Sequence, residues 1–334
     1  GWMTDAGRLL RTRERLAATE LGTRSCGRGA NSSPPPEKRK ASCLGELHRS
    51  HSKEASRSNY PLVGLLPNAG WSPDPLGKTQ LNGRSMIDPA KGWERGEESP
   101  LPASDEIHVW IASMPEDGGD PTDHSSLSEE EVVKVTSARS EVFRHRFVRS
   151  RSLLRRLLSR YLGAPAAEIP LIYNEHGRPS VPADFARGFD FNLSHTDEWA
   201  VFAFGWERRV GIDLERVDRR ADWQRIARST FSHLECQQLE NAGGADGVSA
   251  YLRAWLRKEA YSKGRGDGFA YGFSDFSVSV APTPAGSGLL EDFHDPDAVE
   301  RWWIRDLALG YPLAGALAGE GECRVVRWWR YTRT

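Results

Sequence analysis

Residues 211–215 read GIDLE, and the fold turns on what a strand of this composition is doing with two acids. Val210, Ile212 and Leu214 form a β-branched and apolar series, the signature of a buried strand. Successive strand residues point to opposite faces, so these three share one face while Gly211, Asp213 and Glu215 share the other. Two carboxylates side by side repel each other and lose hydration unless water or a cation reaches them. Two readings follow from this stretch alone. Either the acidic side is solvated, or it holds a hard divalent cation such as Mg²⁺, which takes carboxylate, water and phosphate oxygens.

Working outward, "FDFNLSHTDEWAVFAFGWERRVGIDLERV" predicts three short strands at 189–194, 199–205 and 209–215, with WERR turning the chain between the last two. Upstream, "EIHVWIASM" (106–114) predicts a strand, and 126–163 reads as one helix capped by Ser128 and stopped by Gly163. Apolar residues at 143, 147, 154, 157, 158, 161 and 162 predict its buried stripe, with arginines over much of the remainder. "IPLIYNEHGRPSV" predicts a strand and turn. Downstream, 222–242 and 248–264 predict two helices, and "FSDFSVSV", "WWIRDLALG", "YPLAGALAG" and "CRVVRWWRY" predict strands. Helices mixed with short antiparallel strands indicate an α+β fold.

The 334 residues divide into unlike parts. Residues 1–104 are rich in Pro, Gly, Ser and basic residues without helix or strand periodicity, and are expected to be a disordered polar extension. Within it, a short helix near 7–21 and docking of "YPLVGLLPNAGW" are the only ordered features expected. Two α+β halves, 105–216 and 217–334, follow. With 45 basic and 46 acidic residues, the chain has no bulk attraction for nucleic acid or anionic lipid. Its four cysteines are scattered, which favours neither a zinc site nor a disulfide framework and fits a reducing cytosol. No apolar run is long enough for a membrane span.

A second acidic element is "WLRKEAYSK" (255–263). On a helix, Leu252, Trp255, Leu256, Glu259 and Lys263 share one face by three- and four-residue spacing. Glu259 and Lys263 thus prolong an apolar stripe, either as a partly buried structural ion pair or as groups at the edge of a cleft. The third element, "FNLSHT" (191–196), is a strand ending in Asn192, Ser194 and His195. Ser, His and Arg donors suit phosphate oxygens. A Ser-His hydrolase does not fit, because Ser194 and His195 are adjacent on a strand and point apart, and no GxSxG elbow accompanies them.

Taken in order, "HGRPSV", "FNLSHT", "GIDLE" and "WLRKEAYSK" resemble the signatures G-[KR]-P, F-N-[IVL]-S-H-[ST], G-[IV]-D-[IL]-E and W-x-x-K-E-[AS]-x-x-K of the Sfp-like 4′-phosphopantetheinyl transferases. The resemblance runs from about residue 143 toward the end of the chain and does not cover 1–104. It implies two similar α+β halves related by a pseudo-twofold, with coenzyme A between them. It also implies transfer of the 4′-phosphopantetheine arm to a serine of an apo acyl or peptidyl carrier protein, by a cytoplasmic monomer. By the same resemblance, Asp213, Glu215 and Glu259 bind Mg²⁺, with Mn²⁺ as a substitute. Glu259 accepts the serine proton and Lys263 serves the leaving phosphate. Arg146, Arg178, Ser194, His195 and Lys258 contact coenzyme A, with Arg178 standing where the family often has Lys. Two other readings stay open: a non-catalytic coenzyme A or carrier-binding module of the same fold, and a nucleic-acid binder acting through the basic N-terminal region.

Overall fold

The protein is described by a computed structural model covering residues 93–95, 103–114, 124–218, 222–282, 288–323 and 325–331. In chain order the elements are β1 (Glu94–Arg95), β2 (Glu106–Ser113), α1 (Glu129–Ser137), α2 (Glu141–Leu162), β3 (Ile172–Tyr173), β4 (Pro179–Ser180), β5 (Phe189–Thr196), β6 (Trp199–Trp206) and β7 (Val210–Arg216). There follow α3 (Trp223–Thr230), α4 (His233–Ala242), α5 (Gly244–Arg265), β8 (Phe276–Val278), β9 (Leu289–Asp292), α6 (Ala298–Arg301), β10 (Trp302–Asp306), β11 (Leu313–Glu320) and β12 (Val325–Arg330). The fold is α+β, as the sequence indicates. No helix among the described residues is long and apolar enough to cross a membrane. The helix near 7–21 and the docking of 60–71 lie outside the described residues. One short piece of the supposed extension is ordered, since β1 pairs with β12 and Trp93 donates to the Ala308 carbonyl at 3.3 Å.

Two sheets carry the architecture. The larger has the order β1-β12-β2-β6-β5 and the smaller β10-β11-β7. Alternation along the strands assigns their faces. Trp110, Phe191, Phe202 and Phe204 point outward from the larger sheet onto Leu154, Leu157, Leu158 and Tyr161 of α2. Ile107, Val109, Ile111 and Val201 point inward and meet Val210, Ile212, Leu214, Leu313 and Leu317 of the smaller sheet. The apolar face of the GIDLE strand is therefore the inter-sheet core. Its other face is neither solvated nor open, because Gly211, Asp213 and Glu215 are all buried and α5 packs across β7 and β11. The layers run α2, larger sheet, smaller sheet, α5.

Neither half keeps its strands to itself. β7, which precedes residue 217, pairs antiparallel with β11, while β12 from the C-terminal end pairs parallel with β2. The expected single helix over 126–163 is two. Ser140 starts the second by accepting from the Phe143 amide at 3.2 Å, and Gly163 stops it at φ 66°. The stripe is also rotated at its start, where Phe143 is exposed. Arg155 is buried within the helical packing, paired with Glu131 and donating to the carbonyls of Ala166 and Ile169 at 2.7 and 3.0 Å. The segment 222–242 likewise breaks, at Ser232, whose hydroxyl and Glu235 form a reciprocal cap on α4.

Helix and strand touch backbone to backbone at one place. A Cβ on Gly211 would overlap the Ala260 carbonyl and stand 2.7 Å from Gly264 Cα. Neither neighbour is a flexible side chain, so the methyl group has nowhere to go. Gly211→Ala is expected to lower stability by about 3 kcal/mol, read from urea denaturation; a stability equal to wild type would refute the contact.

Candidate active site

β5 supplies a polar row at every second residue, facing the free edge of β7. Asp190 accepts from the Val210 amide at 2.9 Å, and Asn192 from the Ile212 amide at 3.2 Å. Ser194 donates to Asp213 Oδ1 at 2.8 Å. His195, one residue on, points to the opposite side and is exposed. The sequence analysis marked Asn192 within the motif but gave it no role, and did not mark Asp190, although both share the parity of Ser194.

From the other side α5 brings Lys263, whose Nζ lies 2.6 Å from Asp213 Oδ1 and 3.1 Å from Ser194 Oγ. Glu259, one turn earlier, is 3% exposed, as are Asp213 at 3% and Glu215 at 2%. Its Oε1 has no hydrogen-bond partner. Burial, then the negative charge of Asp213 and, less strongly, Glu215, push the Glu259 carboxyl up to about 8, with Lys263 opposing them. The pocket thus gathers three carboxylates against one ammonium. Arg146, on the exposed side of α2, lies with Lys263 and Asp213 among the charges that act on His195.

Two basic residues are committed elsewhere. Arg178 forks onto Asp190 at 2.7 and 2.9 Å and also donates to the carbonyls of Phe191, Val210 and Lys263. It ties β5, β7 and the end of α5 together. Lys258, expected at a phosphate, is instead fully buried on the far side of α5. Its ammonium pairs with Glu235 at 2.8 Å and donates to the carbonyls of Phe273 and Phe276 at 2.7 and 2.5 Å. Helical geometry explains the correction: consecutive residues are about 100° apart, so when Glu259 faces β7 its neighbour turns toward α4 and β8.

The chemistry of the acids fits a divalent cation, on three counts: they are hard oxygen donors, they carry excess negative charge in a buried space, and Glu259 has an oxygen without a partner. They do not close on one point. Among the described residues no three acidic, histidine or cysteine side chains stand close enough, as placed, to ligate one ion. Mg²⁺ ordinarily takes only one or two protein carboxylates and keeps several waters, so a hydrated ion is the form the set accommodates.

The profile of the 4′-phosphopantetheinyl transferase superfamily matches residues 209–316, and that of the 4′-phosphopantetheinyl transferase N-terminal region matches 122–206. The 4′-phosphopantetheinyl transferase HetI of Nostoc sp. is 31% identical over 182 residues, covering 54% of this chain and 76% of that protein. The chain belongs to the 4′-phosphopantetheinyl transferase family. A phosphopantetheinyl transferase of Thraustochytrium sp. is 30% identical over 47% of this transferase and 58% of its own length. The 4′-phosphopantetheinyl transferase gsp of Aneurinibacillus migulanus is 33% identical over 39% of this chain and 52% of its own length. The chain thus spans three quarters of the first relative and little more than half of the other two. The two profiles meet between β6 and β7, so Ser194 falls in one and Asp213, Glu259 and Lys263 in the other.

The two lysines of the transferase helix should separate in stability. Lys258→Met leaves Glu235 buried without its cation and is expected to cost about 3 kcal/mol. Lys263→Met should cost less than half as much in the same urea titration. Equal losses would contradict the assignment of Lys258 to the core.

Proposed function

We propose that the protein transfers the 4′-phosphopantetheine arm of coenzyme A to a serine hydroxyl of an apo acyl or peptidyl carrier protein, releasing adenosine 3′,5′-bisphosphate. Family membership supports the transfer. The observation that carries the assignment of roles is the junction of β5, β7 and α5, where Lys263 contacts both Ser194 and Asp213 beside the buried Glu259.

The serine oxygen attacks the pantetheine-side phosphorus of the coenzyme A pyrophosphate, and the bond to the adenosine-side phosphate breaks. Glu259 takes the serine proton, directly or through a water. Lys263 offsets negative charge on the departing phosphate. Ser194, His195 and Arg146 hold coenzyme A phosphates, and Arg178 fixes the strand and helix that carry the reacting groups. Asp213, Glu215 and Glu259 would hold Mg²⁺, or Mn²⁺ in its place, which supplies charge neutralisation at the pyrophosphate when bound. The cytosol, where coenzyme A and carrier domains meet, is the proposed setting.

Intact-mass spectrometry of an apo-carrier incubated with the protein, coenzyme A and Mg²⁺ tests the reading. The expected result is a gain of one phosphopantetheinyl group that EDTA abolishes. Glu259→Gln should slow single-turnover transfer by roughly 10²–10⁴-fold. No gain across fatty-acid, polyketide and peptide carriers, with coenzyme A still bound, would overturn transfer in favour of a non-catalytic binding module.

A further inference from the structure

Helix α5 ends just after Lys263, and its end is closed by side chains from the other half of the chain. A helix leaves its last four carbonyls without intrahelical partners. The Gly266 amide bonds to the Ser262 carbonyl, so the carbonyls left over are those of residues 263–266. Side chains from residues 174–209 meet three of them. The Lys263 carbonyl accepts from Arg178 Nε at 3.0 Å and from Asn192 Nδ2 at 3.4 Å. The Arg265 carbonyl accepts from Arg209 Nη1 at 3.3 Å, and the Gly266 carbonyl from Asn174 Nδ2 at 2.7 Å. The two arginines also set positive charge at the negative end of the helix dipole.

Asn174 joins this cap to the turn that carries Arg178. β3 and β4 are two residues each, too short to hold a hairpin by themselves. The turn between them is set by Gly177 at φ 79° and by the Asn174 side chain, whose Oδ1 accepts from the amides of His176 at 3.1 Å and Arg178 at 2.8 Å. Its neighbours fix which way the amide group points: two N–H groups face its oxygen and a carbonyl faces its nitrogen. One side chain thus holds Arg178 at the backbone and α5 at its last carbonyl. The approach is close, since a Cβ on Gly266 would stand 3.6 Å from Asn174 Nδ2 and 3.7 Å from Arg178 Cδ. Arg178 in turn holds the Lys263 carbonyl, and the Lys263 ammonium reaches Asp213 and Ser194. An aspartate at 174 would keep the acceptor, lose the donor and set an anion against the negative end of the helix.

We propose that Asn174 is a positioning residue for the transfer reaction: it locks the 174–178 turn to the end of α5 and so sets where Lys263 places its ammonium. This rests on the role given to Lys263 above and adds to it a support supplied by an exposed hairpin of the other half. Small displacements of a group that acts on the reacting atoms are costly to rate, while the binding of substrate need not change with them.

The test is single-turnover transfer to an apo acyl carrier protein at saturating coenzyme A, read by intact mass, with coenzyme A affinity measured separately by calorimetry. Wild type, Asn174→Asp, Glu175→Gln, Lys263→Met and the double variant Asn174→Asp/Lys263→Met are compared in the full-length protein, with urea unfolding to confirm that each is folded. The expected result is transfer about tenfold slower in Asn174→Asp, with coenzyme A affinity unchanged, a wild-type rate in Glu175→Gln, and no loss in the double variant beyond that of Lys263→Met. Asn174→Ala, which gives up all three bonds, is expected to lose at least as much and decides the matter if the aspartate variant does not fold. A wild-type rate in Asn174→Asp would overturn the proposal. Losses that multiply in the double variant, or that Glu175→Gln shares, would assign the effect to the hairpin in general and overturn it too. A wild-type rate in Lys263→Met would remove the role of Lys263 and this proposal with it, whereas no transfer by wild type would overturn the transferase reading itself.

Discussion

The polar row on β5 is the constraint from which the site follows. β7 ends the smaller sheet, and an edge strand exposes backbone amides that need acceptors. Here the side chains of Asp190 and Asn192 serve as those acceptors, at the two-residue spacing of the pleat. The next residue of the same parity, Ser194, reaches a side chain rather than the backbone and meets Asp213. One register therefore both joins the sheets and sets the serine against the acid. A one-residue slip would turn Leu193 and His195 toward β7 and lose every one of these bonds.

Helix α5 is located by two contacts of different kind. The glycine crossing at Gly211 and Gly264 sets how close it comes. The buried pair of Lys258 with Glu235 sets how it is rotated about its axis. Burying that pair raises the pKa of Glu235 and lowers that of Lys258, each by loss of water and each opposed by its partner's charge. Ion pairs of this kind add little net stability over apolar packing, but an unpaired charge in the same place is costly. Rotation of α5 away from its present setting would break the pair and withdraw Glu259 from β7 together.

Much of this was legible in the sequence because strand and helix periodicities report faces. Val210, Ile212 and Leu214 were assigned to the core, Ser194 and His195 to opposite sides, and Glu259 and Lys263 to an inward stripe, and the structure has each of them so. Periodicity does not report what lies over a face. Nothing in GIDLE alone says that a helix covers its acids, or that Lys258, beside Glu259, is buried against α4. Helix breaks were missed at Ser140 and Ser232 because both caps sit inside runs that continue in helix-forming residues. The strand β9 (289–292) was missed because four residues carry too little alternation to register. The polar row was half visible: Asn192 and Ser194 stood out within the motif, while Asp190, two residues earlier, did not.

The parallel pairing of β12 with β2 has a consequence for how the chain comes into being. β12 lies between β1 and β2, so the larger sheet lacks an interior strand until residues 325–330 have been made. By then α2, β5, β6 and the whole of α5 have already left the ribosome. Until then β2 lacks its β12 partner, and Trp110 lacks the strand residue opposite it, Trp329. That part of the larger sheet can close only on a chain in which α5 is already present.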